Sequence, residues 1–135
     1  MKILLDTHVI LWALTNDRRL FAEAREMIVS ASNSICYSTV SLWEIAVKNQ
    51  KAPEKCPYHE RDINHFCEMA GFEPLPVLPE HVMGMRDLRI REGHYSGNLD
   101  PFDRMLISQA KTENCILISH DMNFQHYDEP CVHLI

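Results

Sequence analysis

The stretch DPFDRMLISQAKTENCILIS (100–119) joins the clearest helical pattern of the chain to its most strand-like run. Asp100 is suited to cap the helix and Pro101 to occupy its first position, and an inner apolar stripe follows at Phe102, Leu106 and Ala110. The run CILIS (115–119) is short, apolar and rich in isoleucine, as expected of a buried strand. A helix that leads directly into such a strand indicates an α/β protein.

The same alternation extends outward over the whole chain. The apolar patterns predict strands at 2–6, 34–38, 72–78, 115–119 and 131–135, and helices at 8–14, 20–31, 39–51, 59–70, 79–88 and 100–114. We expect Thr39 or Ser41 to cap the third helix, residues 91–99 to form a loop, and the proline-rich run 72–78 to be an edge strand. Strands separated by helices pair in parallel, so the chain is predicted to form a single α/β domain over residues 1–135.

Composition narrows the class of protein. The chain has 135 residues, of which 46% are hydrophobic and 24% charged, which is typical of a soluble globular domain. No apolar run approaches the roughly 20 residues that a membrane span needs, and Asp6 interrupts the apolar N-terminal run, so we expect a cytoplasmic protein without a membrane segment. The five cysteines are odd in number and lack a CxxC pair, which argues against a disulfide framework or a zinc ribbon.

Four acidic residues stand at the ends of apolar strands or inside patterned helices: Asp6, Glu44, Asp103 and Asp121. A carboxylate in such a place is costly unless it is paired or binds a metal. In a parallel sheet the carboxyl ends of the strands meet at one edge, and the start of helix 100–114 points to the same edge. The pattern therefore predicts one shared site for Mg²⁺ or Mn²⁺.

Each acid also has an ordinary structural interpretation. Asp6 and Asp100 can cap helices, Glu44 can pair with Lys48 one turn later, and Asp121 can cap a turn. For Asp100, which precedes a proline, capping is the stronger of the two interpretations. The net charge of −6 is unusual for a protein that binds nucleic acid through its phosphates. Basic residues nevertheless cluster in two places, at Arg86, Arg89 and Arg91 and at Lys48 and Lys51.

Four segments taken together resemble the PIN-domain nucleases, and more narrowly the VapC-type toxins of toxin–antitoxin pairs. These segments are LLDTHVILW (4–12), STVSLWEI (38–45), DPFDRMLISQA (100–110) and LISHD (117–121), so the resemblance runs from Asp6 to Asp121. It implies a three-layer α/β/α PIN-like fold with a central, mainly parallel sheet. It also implies an endoribonuclease that depends on one or two Mg²⁺ or Mn²⁺ ions.

Residue by residue, the resemblance implies that Asp6, Glu44, Asp103 and Asp121 are the catalytic, metal-binding quartet. Asp100 matches an additional aspartate of members that carry the DPFDR motif. The hydroxyls of Thr7 and Ser41 match positions near that site, and Arg104 is expected to brace it or to pair with an acid. The implied partners are an RNA substrate, an antitoxin and a second copy of the chain in a homodimer.

Three other interpretations compete. A metal-free ribonuclease would use a histidine pair, but of the eight histidines only His8, His94 and His120 are expected near the site, and no pattern pairs any two. A phosphatase acting through an aspartyl intermediate would resemble the haloacid-dehalogenase-like enzymes, which have a second aspartate where His8 stands. A non-catalytic PIN-like module for binding RNA or protein is the remaining alternative.

The apolar stretches around Trp12, Phe21 and Met83–Met85 offer a candidate groove for a partner helix. Their helical spacing favours the alternative that they belong to the core.

Overall fold

A computed structural model of the protein describes residues 1–93 and 99–135, and its strands form one five-stranded sheet in which every pairing is parallel. The strands are β1 (Lys2–Leu5), β2 (Ser34–Ser38), β3 (Glu73–Leu75), β4 (Ile116–Ser119) and β5 (Val132–Leu134). Their order in the sheet is β3-β2-β1-β4-β5. The predicted α/β architecture is confirmed, and the proline-rich run lies at the edge of the sheet, as expected.

The described residues form six α-helices. They are α1 (Thr7–Thr15), α2 (Ala22–Val29), α3 (Thr39–Lys51), α4 (Glu60–Met69), α5 (Pro79–Gly84) and α6 (Pro101–Thr112). Short 3₁₀ turns follow at Met85–Asp87 and Met122–His126. The predicted loop at 91–99 lies mostly outside the described residues. None of the helices in the described ranges has the length and apolar character that a bilayer crossing requires.

Two local predictions were wrong. The cap of α3 is Ser38, whose Oγ accepts from the amide of Val40 at 3.0 Å, and neither Thr39 nor Ser41 serves as the cap. Ser38 ends β2 in an extended conformation, so the helix begins directly after the strand. α2 is shorter than predicted because Leu20 packs in the core ahead of the helix and Phe21 takes the capping position with 55% of its surface exposed.

Successive side chains of each strand point to opposite faces of the sheet, so a hydrophobic core forms on each face. Ile3 and Leu5 of β1 pack with residues of α1, α2 and α4, and Leu4 between them packs with residues of α6 on the other face. α3 contributes to both cores, through Ile45 on the first face and Val40 on the second. The result is the three-layer α/β/α arrangement that the family resemblance implied.

The order of the strands determines where a site forms. From β1 the chain moves to β2 and β3 on one side, then crosses back to place β4 and β5 on the other side. Ligands of open parallel sheets bind at such a reversal, beyond the carboxyl ends of the strands. Here the reversal lies between β1 and β4, where Asp6 and Asp121 follow the strands.

A buried polar contact fastens α5 to α6. His81, which is fully buried, places its Nε2 2.8 Å from Glu113 Oε1, and its Nδ1 accepts from the amide of Leu78 at 3.0 Å. Ser108 Oγ of α6 donates to the carbonyl of His81 at 2.6 Å. These bonds anchor α6 near its middle and at its C-terminal end, whereas the acidic residue Asp103 lies near its start.

Candidate active site

Asp6 links the end of β1 to the start of α1. Its Oδ1 accepts from the amide of Thr7 at 2.7 Å, so it caps α1 as its ordinary interpretation requires. Its Oδ2 accepts from Ser119 Oγ at 2.8 Å, and its own amide donates to the carbonyl of Ile118 at 3.0 Å. Only 3% of its surface is exposed. The carboxylate is therefore held between the two strands that flank the reversal.

The environment of Asp6 opposes its ionisation. Burial raises the pKa of Asp6 to about 7, although the hydrogen bonds from Ser119 and Thr7 work in the opposite direction. The charges of Glu44 and Asp121 raise this pKa further. Metal-free protein near neutral pH therefore holds a proton on Asp6 in part of its molecules.

Glu44 lies in the second turn of α3 and is 4% exposed. Thr7 Oγ1 lies 2.7 Å from Glu44 Oε1 and 2.9 Å from Ser41 Oγ. A hydroxyl has one proton, so Thr7 donates to the carboxylate of Glu44 and accepts from Ser41. The other carboxylate oxygen of Glu44 pairs with Lys48 Nζ. The two hydroxyl residues expected near the site thus orient one of its acids.

Asp103 lies one turn into α6. Burial raises its pKa to about 8, with further increases from neighbouring negative charges, those of Asp100, Asp6, Asp121 and Glu44. Asp100 caps α6 as predicted, because its Oδ1 accepts from the amides of Phe102 at 2.7 Å and Asp103 at 3.3 Å. Asp103 thus interacts electrostatically with each of the other four predicted acids, so the five lie near one another.

Asp121 follows β4 and begins the 3₁₀ turn Met122–His126, where its Oδ1 accepts from the amide of Asn123 at 2.9 Å. Its own amide donates to Ser119 Oγ at 3.0 Å. Asp6, Glu44 and Asp121 thus each have a local structural partner for the carboxylate as well as a place near the shared edge. For these three residues, a structural role as cap or ion-pair partner does not exclude a role in binding a metal.

Arg104 bonds to the backbone of the turn after α5 and, among the described residues, not to an acid. Its Nη2 donates to the carbonyl of Met85 at 3.0 Å, and within the described part of the chain it forms no ion pair with an acid. Of the histidines expected near the site, His8 is exposed and His120 places Nδ1 3.1 Å from the carbonyl of Ile135. His94 lies outside the described residues.

Sequence reasoning missed Ser119. It is fully buried, donates to Asp6 and accepts from Asp121, so one hydroxyl connects two predicted metal ligands. The available signal was its place in LISHD, at the carboxyl end of the strand and two residues before an acid.

A second missed contact ties α6 to β2. Ser38 Oγ donates to Gln109 Oε1 at 2.5 Å, and Gln109 Nε2 donates to the carbonyl of Pro76 at 3.3 Å. Both side chains are fully buried. This bridge fixes α6, which carries Asp103, against the sheet.

The donor set suits a hard divalent cation. All the acids and hydroxyls that meet here offer oxygen, the ligand that Mg²⁺ and Mn²⁺ prefer. In the described ranges no three His, Cys, Asp or Glu side chains are close enough to enclose an ion directly. Mg²⁺ is usually bound through one or two carboxylates and keeps several waters, so the residues fit it without a closed cage.

Comparison with known proteins assigns the chain to a family. The family model described as the PIN domain matches residues 3–130, nearly the whole chain. The protein belongs to the PIN domain family, which confirms the resemblance seen in the sequence at the level of the family.

Solved structures with the same fold include a chain of VapBC2 from Rickettsia felis, solved with a DNA fragment from the promoter. It matches with a TM-score of 0.65 and 18% identity over 100% of this chain and 98% of that one. A chain of the DNA-bound VapBC of Salmonella typhimurium matches with a TM-score of 0.66 and 16% identity, over 98% and 97% of the two chains. VapBC-5 of Mycobacterium tuberculosis gives a TM-score of 0.55 and 19% identity over 99% and 97%. No curated protein sequence matches significantly.

Proposed function

We propose that the protein is a metal-dependent endoribonuclease and the toxin of a VapBC-like toxin–antitoxin pair. One observation carries the proposal. In a PIN-domain fold, the negative charges of Glu44 and Asp121 both act on the buried Asp6 and on the half-buried Asp103. Such a concentration of carboxylates is unfavourable without a cation, and titratable groups perturbed in this way cluster at functional sites.

Asp6 and Asp103 would be the primary ligands of one or two Mg²⁺ or Mn²⁺ ions, with Glu44 and Asp121 completing the shell. When bound, the metal would supply an activated water nucleophile and stabilise negative charge on the phosphoryl group. The chain itself orients the ligands. Ser119 fixes Asp6, and Thr7 fixes one oxygen of Glu44.

We propose that the protein is cytoplasmic and that an antitoxin is the partner that holds it inactive. The support is the fold, which this chain shares with chains of VapBC complexes from several bacteria. We further propose a homodimer, which the exposed apolar side of α3 supports. Trp43 is 62% exposed, contacts the ring of Phe102 at 4.8 Å between centroids, and lies one turn from Val47, which is 40% exposed. Light scattering of the purified protein tests the dimer.

Cleavage of RNA tests the central proposal. Antitoxin-free protein is incubated with total RNA in Mg²⁺, in Mn²⁺ and in EDTA, and the ends of the products are sequenced. We expect discrete metal-dependent cuts that leave 5′-phosphates and 3′-hydroxyls. Asp103→Asn should abolish the cuts, whereas Asp62→Asn, an exposed aspartate of α4, should leave them unchanged. Cyclic phosphate ends that resist EDTA would contradict the proposed mechanism.

The second candidate is a PIN-like module that binds without cutting. It is favoured by the spacing of the acids, no three of which enclose an ion directly within the described residues. A folded protein that binds Mn²⁺ but leaves all RNA intact would establish this alternative.

A further inference from the structure

A groove opens between α1, α3 and the segment that follows α3. Its volume is about 480 Å³, within the usual range for sites that bind a small molecule or one unit of a polymer. Leu11, Trp12 and Ile45 form an apolar floor, and Tyr58 lines one side. Of the apolar stretches that the sequence offered as a partner groove, only Trp12 lines it. Phe21 and Met83 are exposed elsewhere, which also contradicts their assignment to the core.

The groove is basic although the protein is acidic. Four of the thirteen Lys and Arg residues of the chain line it, namely Arg19, Lys48, Lys51 and Lys55, and no acid among the described residues does so. We call this surface the basic groove. With a net charge of −6 for the whole chain, such a concentration of positive charge indicates an anionic partner.

Two of the four cations are already engaged. Arg19 pairs with Asp17 at 2.7 Å and lies 5.0 Å from the centre of the Trp12 ring, and Lys48 pairs with Glu44. Lys51 and Lys55 are exposed, and neither has a carboxylate within 4.0 Å in the described part of the chain. These two ammonium groups are therefore available to a ligand.

The basic groove lies next to the acidic site. Thr7 lines the groove and donates to Glu44, and Lys48 lines it and pairs with the same carboxylate. One layer of side chains thus separates the groove from the acids. A polyanion bound in the basic groove would therefore lie close to the acids.

We infer that the basic groove binds the single-stranded RNA segment next to the cleavage position. Phosphates contact Lys51 and Lys55, and an unpaired base packs against the apolar floor. The inference rests on the proposed function, which supplies the phosphodiester substrate. Charge complementarity selects a polyanion, and an apolar floor beside free ammonium groups suits the face of a base next to its phosphate.

The test measures binding without cleavage. In an Asp103→Asn background, the Kd for a short fluorescein-labelled oligouridylate is measured by anisotropy over a series of KCl concentrations. Adding Lys51→Ala and Lys55→Ala should weaken binding about tenfold and lower the slope of log K against log salt by about 1.4, because two phosphate contacts are lost. Arg61→Ala with Arg86→Ala removes the same charge at exposed positions outside the groove and should have less than a twofold effect.

Equal losses in the two double variants would overturn the inference, since binding would then follow total charge. An unchanged Kd in the Lys51 and Lys55 variant would also overturn it, and loss of antitoxin binding in that same variant would assign the groove to protein docking instead. The proposed function is judged separately, by cleavage of total RNA with the unmodified chain. If the protein cleaves RNA but its binding does not depend on Lys51 and Lys55, only the inference about the basic groove is rejected. If binding depends on these lysines but no cleavage is detected, only the proposed hydrolysis is rejected.

Discussion

Ser119 Oγ stands 2.8 Å from a carboxylate oxygen of Asp6 and 3.0 Å from the amide of Asp121, so one buried hydroxyl connects acids from opposite ends of the chain. Its proton is committed to Asp6 and its lone pair to Asp121. The relative position of the two acids depends on this contact. Ser119 therefore acts as a positioning residue for the proposed metal site.

Replacing Ser119 by alanine should reduce Mn²⁺ affinity or metal-dependent cleavage by about 10- to 100-fold, because groups that orient metal ligands have effects of this size. Isothermal titration and the RNA cleavage assay measure the two quantities. The free energy of unfolding should fall by about 1–3 kcal/mol, the usual cost of leaving buried polar groups without their partner.

Ser108→Ala provides the matched control. Ser108 is also buried and donates to a carbonyl, that of His81, but it lies outside the site. It should show a similar loss of stability with normal cleavage. Equal losses of cleavage in both variants would mean that Ser119 contributes to stability alone.

Asp103→Asn should stabilise the metal-free protein at alkaline pH. The pKa of Asp103 is about 8 in the folded protein, well above the ordinary value of 3.8 that applies after unfolding. Between these values the folded state holds a proton that the unfolded state has released, so stability falls as pH rises from about 4 to 8. Removing this charge should raise the free energy of unfolding by on the order of 2 kcal/mol at pH 8.5.

Thermal unfolding in EDTA at pH 5 and pH 8.5 measures this effect. The gain in Tm should be larger at pH 8.5, and the exposed Asp62→Asn should change Tm little at either pH. A decrease in Tm for Asp103→Asn at pH 8.5 would show that its charge is compensated within the metal-free protein.

Binding of Mn²⁺ should release protons near neutral pH. Asp6 and Asp103, with pKa values of about 7 and 8, are partly protonated there, and a bound divalent ion needs their charged forms. Calorimetric titrations in two buffers with different ionisation enthalpies give the number of protons released. We expect about one or more at pH 6.5 and almost none above pH 9. Release that does not vary with pH would show that neither carboxylate loses a proton on metal binding in this range.

Asp100→Ser separates the two interpretations of Asp100. Serine keeps the cap of α6 and alanine loses it, at a cost of about 1 kcal/mol, while both remove the same charge. We expect the serine variant to be more stable than the alanine variant in urea unfolding. Cleavage should persist in the serine variant if the role of Asp100 is to cap α6, since Oδ1 accepts from the amides of Phe102 and Asp103. Loss of cleavage in both variants would assign Asp100 to the metal.

Much of the architecture follows from local patterns. The runs at 34–38 and 115–119 are apolar and bounded by helical segments, so their assignment to a parallel sheet needed no tertiary information. The edge position of residues 72–78 followed from prolines that cannot donate to a neighbouring strand. The start of α6 followed from Asp100 and Pro101 together.

The errors and omissions arose where the outcome depended on contacts distant in sequence. Ser38, Thr39 and Ser41 are all suitable caps, and only the end of β2 decides among them. The role of Ser119 depends on Asp6, a residue 113 positions away. Phe21 fits the helical stripe by spacing, but Leu20 fills the core in its place. The acids were identifiable because carboxylates in apolar runs are unusual, whereas serines in strands are common.

The location of Asp6 after the central strand has a consequence for how the protein can be controlled. β1 is hydrogen-bonded on both sides, to β2 and β4, and the amide of Asp6 is bonded to Ile118. Amides of such a strand exchange with solvent only when the whole domain opens. Displacing the backbone at Asp6 would therefore cost a large part of the free energy of unfolding. We therefore expect an inhibitor to act by covering the mouth of the proposed site, so that its release returns the site intact.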